Sequence, residues 1–394
     1  MPTLLPQHLL PDAPFESYDE YLAATGDNAV RLARAMGADA VLAEVQRSKL
    51  RGRGGAGFPT GVKWSAIRAH PCPIRDVVCN AAEGEPGTFK DRFLVRRNPY
   101  APLEGMIIAA DVVGAAKLYV VLKASFRKEL ARLRAAADEI ARAGLFGELG
   151  IEFVEGPDEY LLGEEKALLE VVEGNGPLPR EAHYPPYERG LFATPGSPNP
   201  ALVNNVQTFA SVPGILRGGA SAYAELGTPD TPGTLLFTVS GDVRRPGVYE
   251  APAGIPLRRL FEEFAGGPRE GRRLKAAIVG VSSPVIEERR FDTPADFASL
   301  ELIGASLGSA GFIVFDDRQS MPRVAQALAR FLYVESCNQC SACKRGLRVS
   351  SNALDELFDP DLAKPEALVS AVHGAHSAPQ ANRCYLPVQG SIVI

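Results

Sequence analysis

Apolar side chains recur at helical intervals between residues 17 and 50: Ala23, Leu32 and Ala33, then Ala40, Val41, Leu42 and Val45. That spacing predicts two helical stretches. The pattern stops at Arg51-Gly52-Arg53-Gly54-Gly55-Ala56-Gly57-Phe58-Pro59-Thr60-Gly61, which is too rich in glycine for helix or strand. A short apolar run, Asp76-Val77-Val78-Cys79-Asn80, reads as a strand whose end opens into Ala81-Ala82-Glu83-Gly84-Glu85-Pro86-Gly87-Thr88. An apolar helix is expected over 101–116 and a buried strand over Leu118 to Leu122. A charged amphipathic helix over 126–143 and a strand over Ile151 to Val154 follow. This β–α–β–α–β alternation predicts an open α/β sheet.

From about residue 232 the runs become shorter. Gly233 to Ser240, Gly247 to Tyr249, Leu274 to Val281 and Gly311 to Phe315 are β-like, with a helix at 256–265 among them. They predict a small α+β insert. From about residue 321 the chain reads as helical. These changes divide it into regions 1–231, 232–320 and 321–394. No repeat occurs at periods of about 20 to 50 residues.

Composition narrows the function. The 394 residues are 46% hydrophobic and 23% charged, enough for a sizeable core in two to three domains. A formal charge of −5 argues against nucleic-acid binding, which usually needs a basic face. No run of about 18 apolar residues exists, so no membrane-spanning helix is expected. Residues 1–15 lack a basic start and are broken by prolines, so no secretory leader is expected. The expected location is the cytoplasm, with a peripheral place on a membrane complex left open. In that setting clustered cysteines mean metal or redox chemistry rather than disulfides.

Cys337, Cys340 and Cys343 form C-x-x-C-x-x-C, and Cys384 follows farther on. Three thiolates within a turn or two of chain can grip three corners of a cube, and a fourth completes the set. Such a set suits a [4Fe–4S] cluster. The alternative is structural zinc, whose ligands usually come as two C-x-x-C pairs. Cys72 and Cys79 lie apart.

Gly52, Gly54 and Gly57 fit G-x-G-x-x-G, but helix rather than strand precedes them, so the match to a dinucleotide fingerprint is weak. Bare backbone can still approach a phosphate or a flat ring closely, and its N–H groups can form an anion nest. Arg51, Arg53 and Lys63 add positive charge; an ordinary surface loop is the other reading. Asn80, Glu83 and Glu85 follow a strand, where ligands of open α/β sheets sit, although solvated carboxylates look the same in sequence. A helix is expected to open at Gly163, with Glu164 and Glu165 in its first turn, where the dipole tolerates anions. Asn204 and Asn205 read as a turn or as donors to a ring edge. His373 and His376 have no third ligand nearby and read as surface residues.

Together the motifs resemble the NADH-binding flavoprotein subunit (the F-subunit) of bacterial respiratory complex I. The same family includes the diaphorase subunits of NAD-linked formate dehydrogenases and hydrogenases. The matching strings are RGRGGAGFPTGVKW at 51–64, CNAAEGEPGTFKDR at 79–92 and EYLLGEEKALLEVVEG at 159–174. They continue with VNNVQT at 203–208, SGDVRRPGVYE at 240–250 and ESCNQCSACKRG at 335–346.

The resemblance implies an α/β, Rossmann-like domain for FMN and NADH. It also implies a ubiquitin-like β-grasp insert of SLBB type and a C-terminal helical domain for one [4Fe–4S] cluster, held by Cys337, Cys340, Cys343 and Cys384. Gly52, Arg53, Gly54, Gly55, Gly57, Phe58 and Lys63 would line the nucleotide cavity. Asn80, Glu83 and Glu85 would contact flavin or dinucleotide. Tyr160, Gly163, Glu164 and Glu165 would border flavin and nicotinamide, and Asn204 and Asn205 would hold the flavin's ring edge and phosphate side. Glu85 and Glu165 are the expected catalytic carboxylates.

Two positions depart from the family pattern. Ala82 stands where an aspartate near the flavin is usual, and Ala66 where an aromatic often faces the nicotinamide. The segment after Cys384 is also shorter than the family's.

The implied activity is that of an NADH:acceptor oxidoreductase. Hydride passes between NADH and FMN, then single electrons pass to the cluster, in either direction. The implied partners are a [2Fe–2S] thioredoxin-like subunit and a larger cluster-bearing or catalytic subunit, with no nucleic acid and no direct membrane insertion. The alternative is a non-catalytic iron–sulfur scaffold with a degenerate nucleotide pocket.

Overall fold

A computed structural model describes residues 9–181 and 185–394. The first eight residues, part of the segment read for a leader, lie outside the described residues. Four helices precede the first strand: α1 (Tyr18–Thr25), α2 (Ala29–Met36), α3 (Ala38–Arg47) and α4 (Thr60–Ala69). Two helical stretches were expected before the glycine loop and three form. Gly26 and Gly37 take φ of 87° and 84° and end α1 and α2. Positive φ is nearly free for glycine and costly for other residues. Ser17 and Asn28 then cap the starts, accepting from Glu20 N and Arg31 N.

The chain continues through β1 (Asp76–Asn80), α5 (Lys90–Arg97), α6 (Tyr100–Val113), β2 (Lys117–Lys123), α7 (Arg127–Arg142) and β3 (Gly150–Gly156). After these come α8 (Glu165–Val172), β4 (Ala201–Asn205), α9 (Val206–Gly218) and α10 (Ala220–Ala224). The four strands form one parallel sheet in the order β3-β2-β1-β4. Val77, Val78, Leu118, Val120, Val121 and Leu202 are buried in it, as expected of a parallel sheet covered on both faces. Helix α6 is buried along nearly its whole length and crosses α9 closely. A Cβ on Gly105 would stand 2.0 Å from the Phe209 carbonyl oxygen, so only glycine permits this approach.

Asn204 and Asn205 are not a free turn. They end β4, because Leu202 and Val203 pair with Val77 and Val78. The chain thus runs outward from β1 through β2 to β3, then returns on the other side of β1. The order reverses between β1 and β4, and open α/β sheets leave a ligand crevice beyond the carboxyl ends of the strands at such a point.

A second body follows, with β5 (Thr234–Gly241), β6 (Gly247–Pro252) and α11 (Leu257–Arg259), which a π-helical turn at Leu260–Phe264 extends. It continues with β7 (Leu274–Val279), β8 (Ile286–Glu287), α12 (Phe297–Leu302) and β9 (Gly311–Asp316). Its mixed sheet has the order β6-β5-β9-β7-β8 and its own core around Phe237, Phe261, Phe291 and Phe312. Four helices complete the chain: α13 (Met321–Glu335), α14 (Ser341–Leu357), α15 (Pro365–Ser377) and α16 (Leu386–Val393). Among the described residues, no helix is long and apolar enough to cross a membrane.

Candidate functional site

The crevice is built at the ends of β1 and β4, where Cys79 pairs with Asn204 and Asn80 with Asn205. Trp64 Nε1, on α4, donates to Asn204 Oδ1 at 3.1 Å. Asn205 caps α9 by accepting from Gln207 N and donates to Asp91 Oδ2 at 2.7 Å. Asn80 Nδ2 donates to the Gly163 carbonyl at 2.8 Å, which pins the 160–165 segment to the strand end. Glu164 then caps α8, its carboxylate accepting from Ala167 N at 2.8 Å, and burial raises its pKa.

The glycine loop lies over the same edge. A Cβ on Gly54 would come within 3.4 Å of Asn205 Cβ. Gly52 N donates to the Phe58 carbonyl at 2.8 Å and closes the loop. The N–H groups of Gly54, Gly55, Ala56 and Gly57 have no acceptor among the described residues. Unspent donors on bare backbone fit a phosphate. Lys63, in the first turn of α4, donates to Glu165 Oε1 at 2.7 Å and to the Val203 carbonyl at 3.1 Å. Its ammonium stands 5.9 Å from the centre of the Phe58 ring. Lys63 is nearly buried, whereas the Glu165 side chain keeps 41% of its exposure and is reachable by a ligand.

Three expected contacts are employed otherwise. Arg53 is buried, and its guanidinium donates to Tyr223 Oη, Pro232 O and Thr234 O at the junction with the second body. Its charge therefore does not stand at the loop surface, and its Nε and Nη1 have no partner among the described residues. Glu83 accepts from Asp91 N at 2.9 Å and from Arg92 Nε at 3.0 Å, covering the first turn of α5. Burial, with Asp91 close by, pushes its carboxyl up. Glu85 accepts from Val281 N at 2.8 Å and from Tyr160 Oη at 2.7 Å, while Gln389 Nε2 donates to Tyr160 Oη at 2.7 Å.

Val281 lies just past β7 and Gln389 on α16, so Glu85 joins all three bodies. Each of its oxygens accepts one hydrogen bond within the chain, from Val281 N and from Tyr160 Oη. Ala82 is buried and belongs to an apolar cluster with Val78, Val121, Leu162 and Leu168, while its N–H donates to Asn80 Oδ1 at 3.2 Å. Ala66 lies on the exposed face of α4.

The sequence reading passes over Lys90, Asp91 and Lys123. Lys90 is almost fully buried and donates to Asp91 Oδ1 at 2.6 Å and Asn205 Oδ1 at 3.4 Å. A lysine–aspartate pair just past a glycine-rich strand end is a signal the sequence does carry. Lys123 ends β2, and its Nζ lies 3.1 Å from where a Cβ on Gly84 would be. Burial pushes its pKa down.

The cysteines form a second centre. Cys337 lies between α13 and α14, Cys340 caps α14, Cys343 follows in its first turn, and Cys384 precedes α16. All four line one pocket with Leu161, Pro179, Leu386 and Pro387. Burial and the other three sulfurs push the Cys343 thiol up to about 12. Burial, chiefly, does the same to Cys384, also to about 12. Four thiolates so placed need compensating positive charge, which iron supplies. Among the described residues, no three His, Cys, Asp or Glu side chains are arranged to hold a single metal ion. The four cysteines line that common pocket together. His373 and His376 are exposed on α15, and Cys72 and Cys79 are buried outside the set.

The chain is similar to known proteins along most of its length. A family model described as the Nuo51 FMN-binding domain matches residues 45–214, and one described as the SLBB domain matches residues 236–284. The NADH-quinone oxidoreductase F-subunit 2 of Rhizobium meliloti (strain 1021) is 40% identical over 358 residues, 88% of this chain and 83% of the relative. The F-subunit of Aquifex aeolicus (strain VF5) is 36% identical over 350 residues, 87% of this chain and 80% of the relative. Among solved structures, an NAD+-reducing [NiFe]-hydrogenase in the air-oxidized state superposes with a TM-score of 0.84 at 33% identity. That match covers 96% of this chain, which spans 64% of the hydrogenase chain.

Proposed function

This chain belongs to the NADH-quinone oxidoreductase F-subunit family, and from that premise we propose that it is the electron-input subunit of a larger complex, linking NADH, FMN and one [4Fe–4S] cluster. The observation that carries this reading is the Tyr160–Glu165 segment. It is bonded to the crevice through Asn80 and Lys63, and Leu161 lines the cysteine pocket. One short piece of chain therefore joins a nucleotide site to a cluster site.

FMN supplies the conversion between a two-electron hydride and the single electrons a cluster accepts. The protein's part is positioning. The free N–H groups of residues 54–57 receive a phosphate. Lys63, steered by Glu165 and the Val203 carbonyl, places positive charge beside the crevice. Asn80, Asn204 and Asn205 set the crevice floor, and the Glu165 carboxylate is open to donors such as ribose hydroxyls or a carboxamide. Cys337, Cys340, Cys343 and Cys384 hold the cluster. Tyr160 and Leu161 pack against the pocket and keep water from the space between the two centres.

A single cluster holds one electron at a time, so a partner must take it on. That role falls to a [2Fe–2S] thioredoxin-like subunit and a larger cluster-bearing or catalytic subunit, whose potentials set the direction of flow. The test is absorbance of the anaerobically purified chain before and after NADH. Flavin bands that bleach on adding NADH support the proposal. A broad iron–sulfur band without flavin supports a non-catalytic scaffold and overturns it.

A further inference from the structure

Gln339 stands between a ligand sulfur and the protein surface. Its Nε2 donates to Cys337 Sγ at 3.7 Å and to the Pro179 carbonyl at 3.1 Å. Its Oε1 accepts from Arg383 Nη1 at 3.1 Å. The amide can be placed only one way round. A backbone carbonyl only accepts and a guanidinium only donates, so Nε2 faces Pro179 and Cys337 while Oε1 faces Arg383. Arg383 is itself anchored: it precedes Cys384, its carbonyl accepts from Lys166 Nζ, and its Nη2 lies 3.8 Å from Glu181 Oε1. Its side chain is 38% exposed and, with Gln339, lines a surface cleft of about 380 Å³.

We propose that Arg383 and Gln339 form a relay that polarises the Cys337 sulfur and raises the reduction potential of the cluster. The guanidinium withdraws electron density from Gln339 Oε1, which makes the opposite N–H a stronger donor. A donor on a ligand sulfur stabilises the more negative, reduced cluster. Both residues are positioning residues, and the proposal rests on the cluster assignment made above.

The test is an EPR-monitored redox titration with iron determination on the full chain. It compares the parent with Gln339→Leu, Gln339→Glu, Arg383→Gln and Arg383→Lys. Gln339→Leu should lower the midpoint. Poised at the parent's midpoint, its reduced-to-oxidised ratio should fall up to about tenfold, the worth of one hydrogen bond. Gln339→Glu should lower it further, because a carboxylate faces the thiolate. Arg383→Gln should lower it less, and Arg383→Lys should recover most of that loss. A merely structural role would leave the potential in place.

Unchanged midpoints in Gln339→Leu and Arg383→Gln, with parental iron, overturn the relay. If Gln339→Leu loses iron, the Arg383 variants decide, and equal potentials in both and in the parent overturn it. A parent chain that binds no iron overturns the cluster assignment itself, an outcome distinct from a cluster whose potential does not move.

Discussion

The crevice draws its side chains from four distant stretches: the loop and helix around Lys63, the strand end at Asn80, the segment at Tyr160–Glu165 and the strand end at Asn204–Asn205. The cysteine pocket takes three of its four sulfurs from one short stretch of chain, Cys337 to Cys343. At the crevice most polar groups are already bonded to one another. In the pocket Gln339 donates to the Cys337 sulfur, while burial and the neighbouring sulfurs lift Cys343 and Cys384 to about 12. A distributed, mutually bonded site loses function by degrees, whereas a ligand set lacking one member fails outright.

The most severe way to test that contrast is in the pocket. Cys384→Ala should lose about four irons per chain or leave a three-iron remnant, since a cubane needs four protein ligands. Cys72→Ser and Cys79→Ser should keep their iron. Unchanged iron in each single alanine variant of Cys337, Cys340, Cys343 and Cys384 would sink the assignment.

Next in size is Ala82→Asp. Ala82 is buried in an apolar cluster with Val78, Leu162 and Leu168, so a carboxylate there is removed from water. Denaturant unfolding should show a loss of roughly 3 kcal/mol or more. Retained stability with a lower flavin potential would mean that this side chain does turn toward the flavin.

Asp76 sits at the other end of β1 from the crevice, and burial raises its carboxyl to about 6 from 3.8. Between those values the folded state keeps a proton that the unfolded state has lost. This group's contribution is therefore fully present below about 4 and is lost as pH rises through about 6. The loss amounts to about 3 kcal/mol. Asp76→Asn should flatten that part of the urea-midpoint profile against pH while leaving iron content unchanged. A parental slope in the variant would show that other groups carry it.

The smallest expected effects are at the crevice. Lys63→Ala and Glu165→Ala should each weaken flavin retention or NADH oxidation by about 1.5–3 kcal/mol, the worth of a charge-assisted hydrogen bond, with little change in unfolding. Parental rates with ferricyanide in both variants would place the cavity elsewhere.

Legibility in the sequence follows the same divide. Strand β1 forms at the expected Asp76–Asn80, and β2, α7 and β3 lie within a residue or two of expectation. Strand β4 escapes notice because Ala201–Asn205 is short and ends in two asparagines. Its strand identity comes from pairing with β1. The break of the first region into three helices turns on Gly26 and Gly37, whose positive φ is a local matter, visible once the geometry is known.

By itself the sequence pointed to the four cysteines and to the bare backbone of the glycine loop. The spacing from Cys337 to Cys343 and the glycines from Gly52 to Gly57 act over a few residues, where chain geometry limits the distances directly. Only the tertiary structure decided which polar side chains remain available. Arg53, Glu83 and Glu85 look in sequence no different from Lys63 and Glu165. Yet Arg53 is turned to Pro232 and Thr234, Glu83 to the start of α5, and Glu85 to Tyr160 and Val281. A side chain held by such partners has its position fixed by them, and a carboxylate with one bond per oxygen still keeps lone pairs for a ligand. For Arg53 and Glu85 those partners stand far along the chain, several of them in the second body, and local sequence carries no record of them.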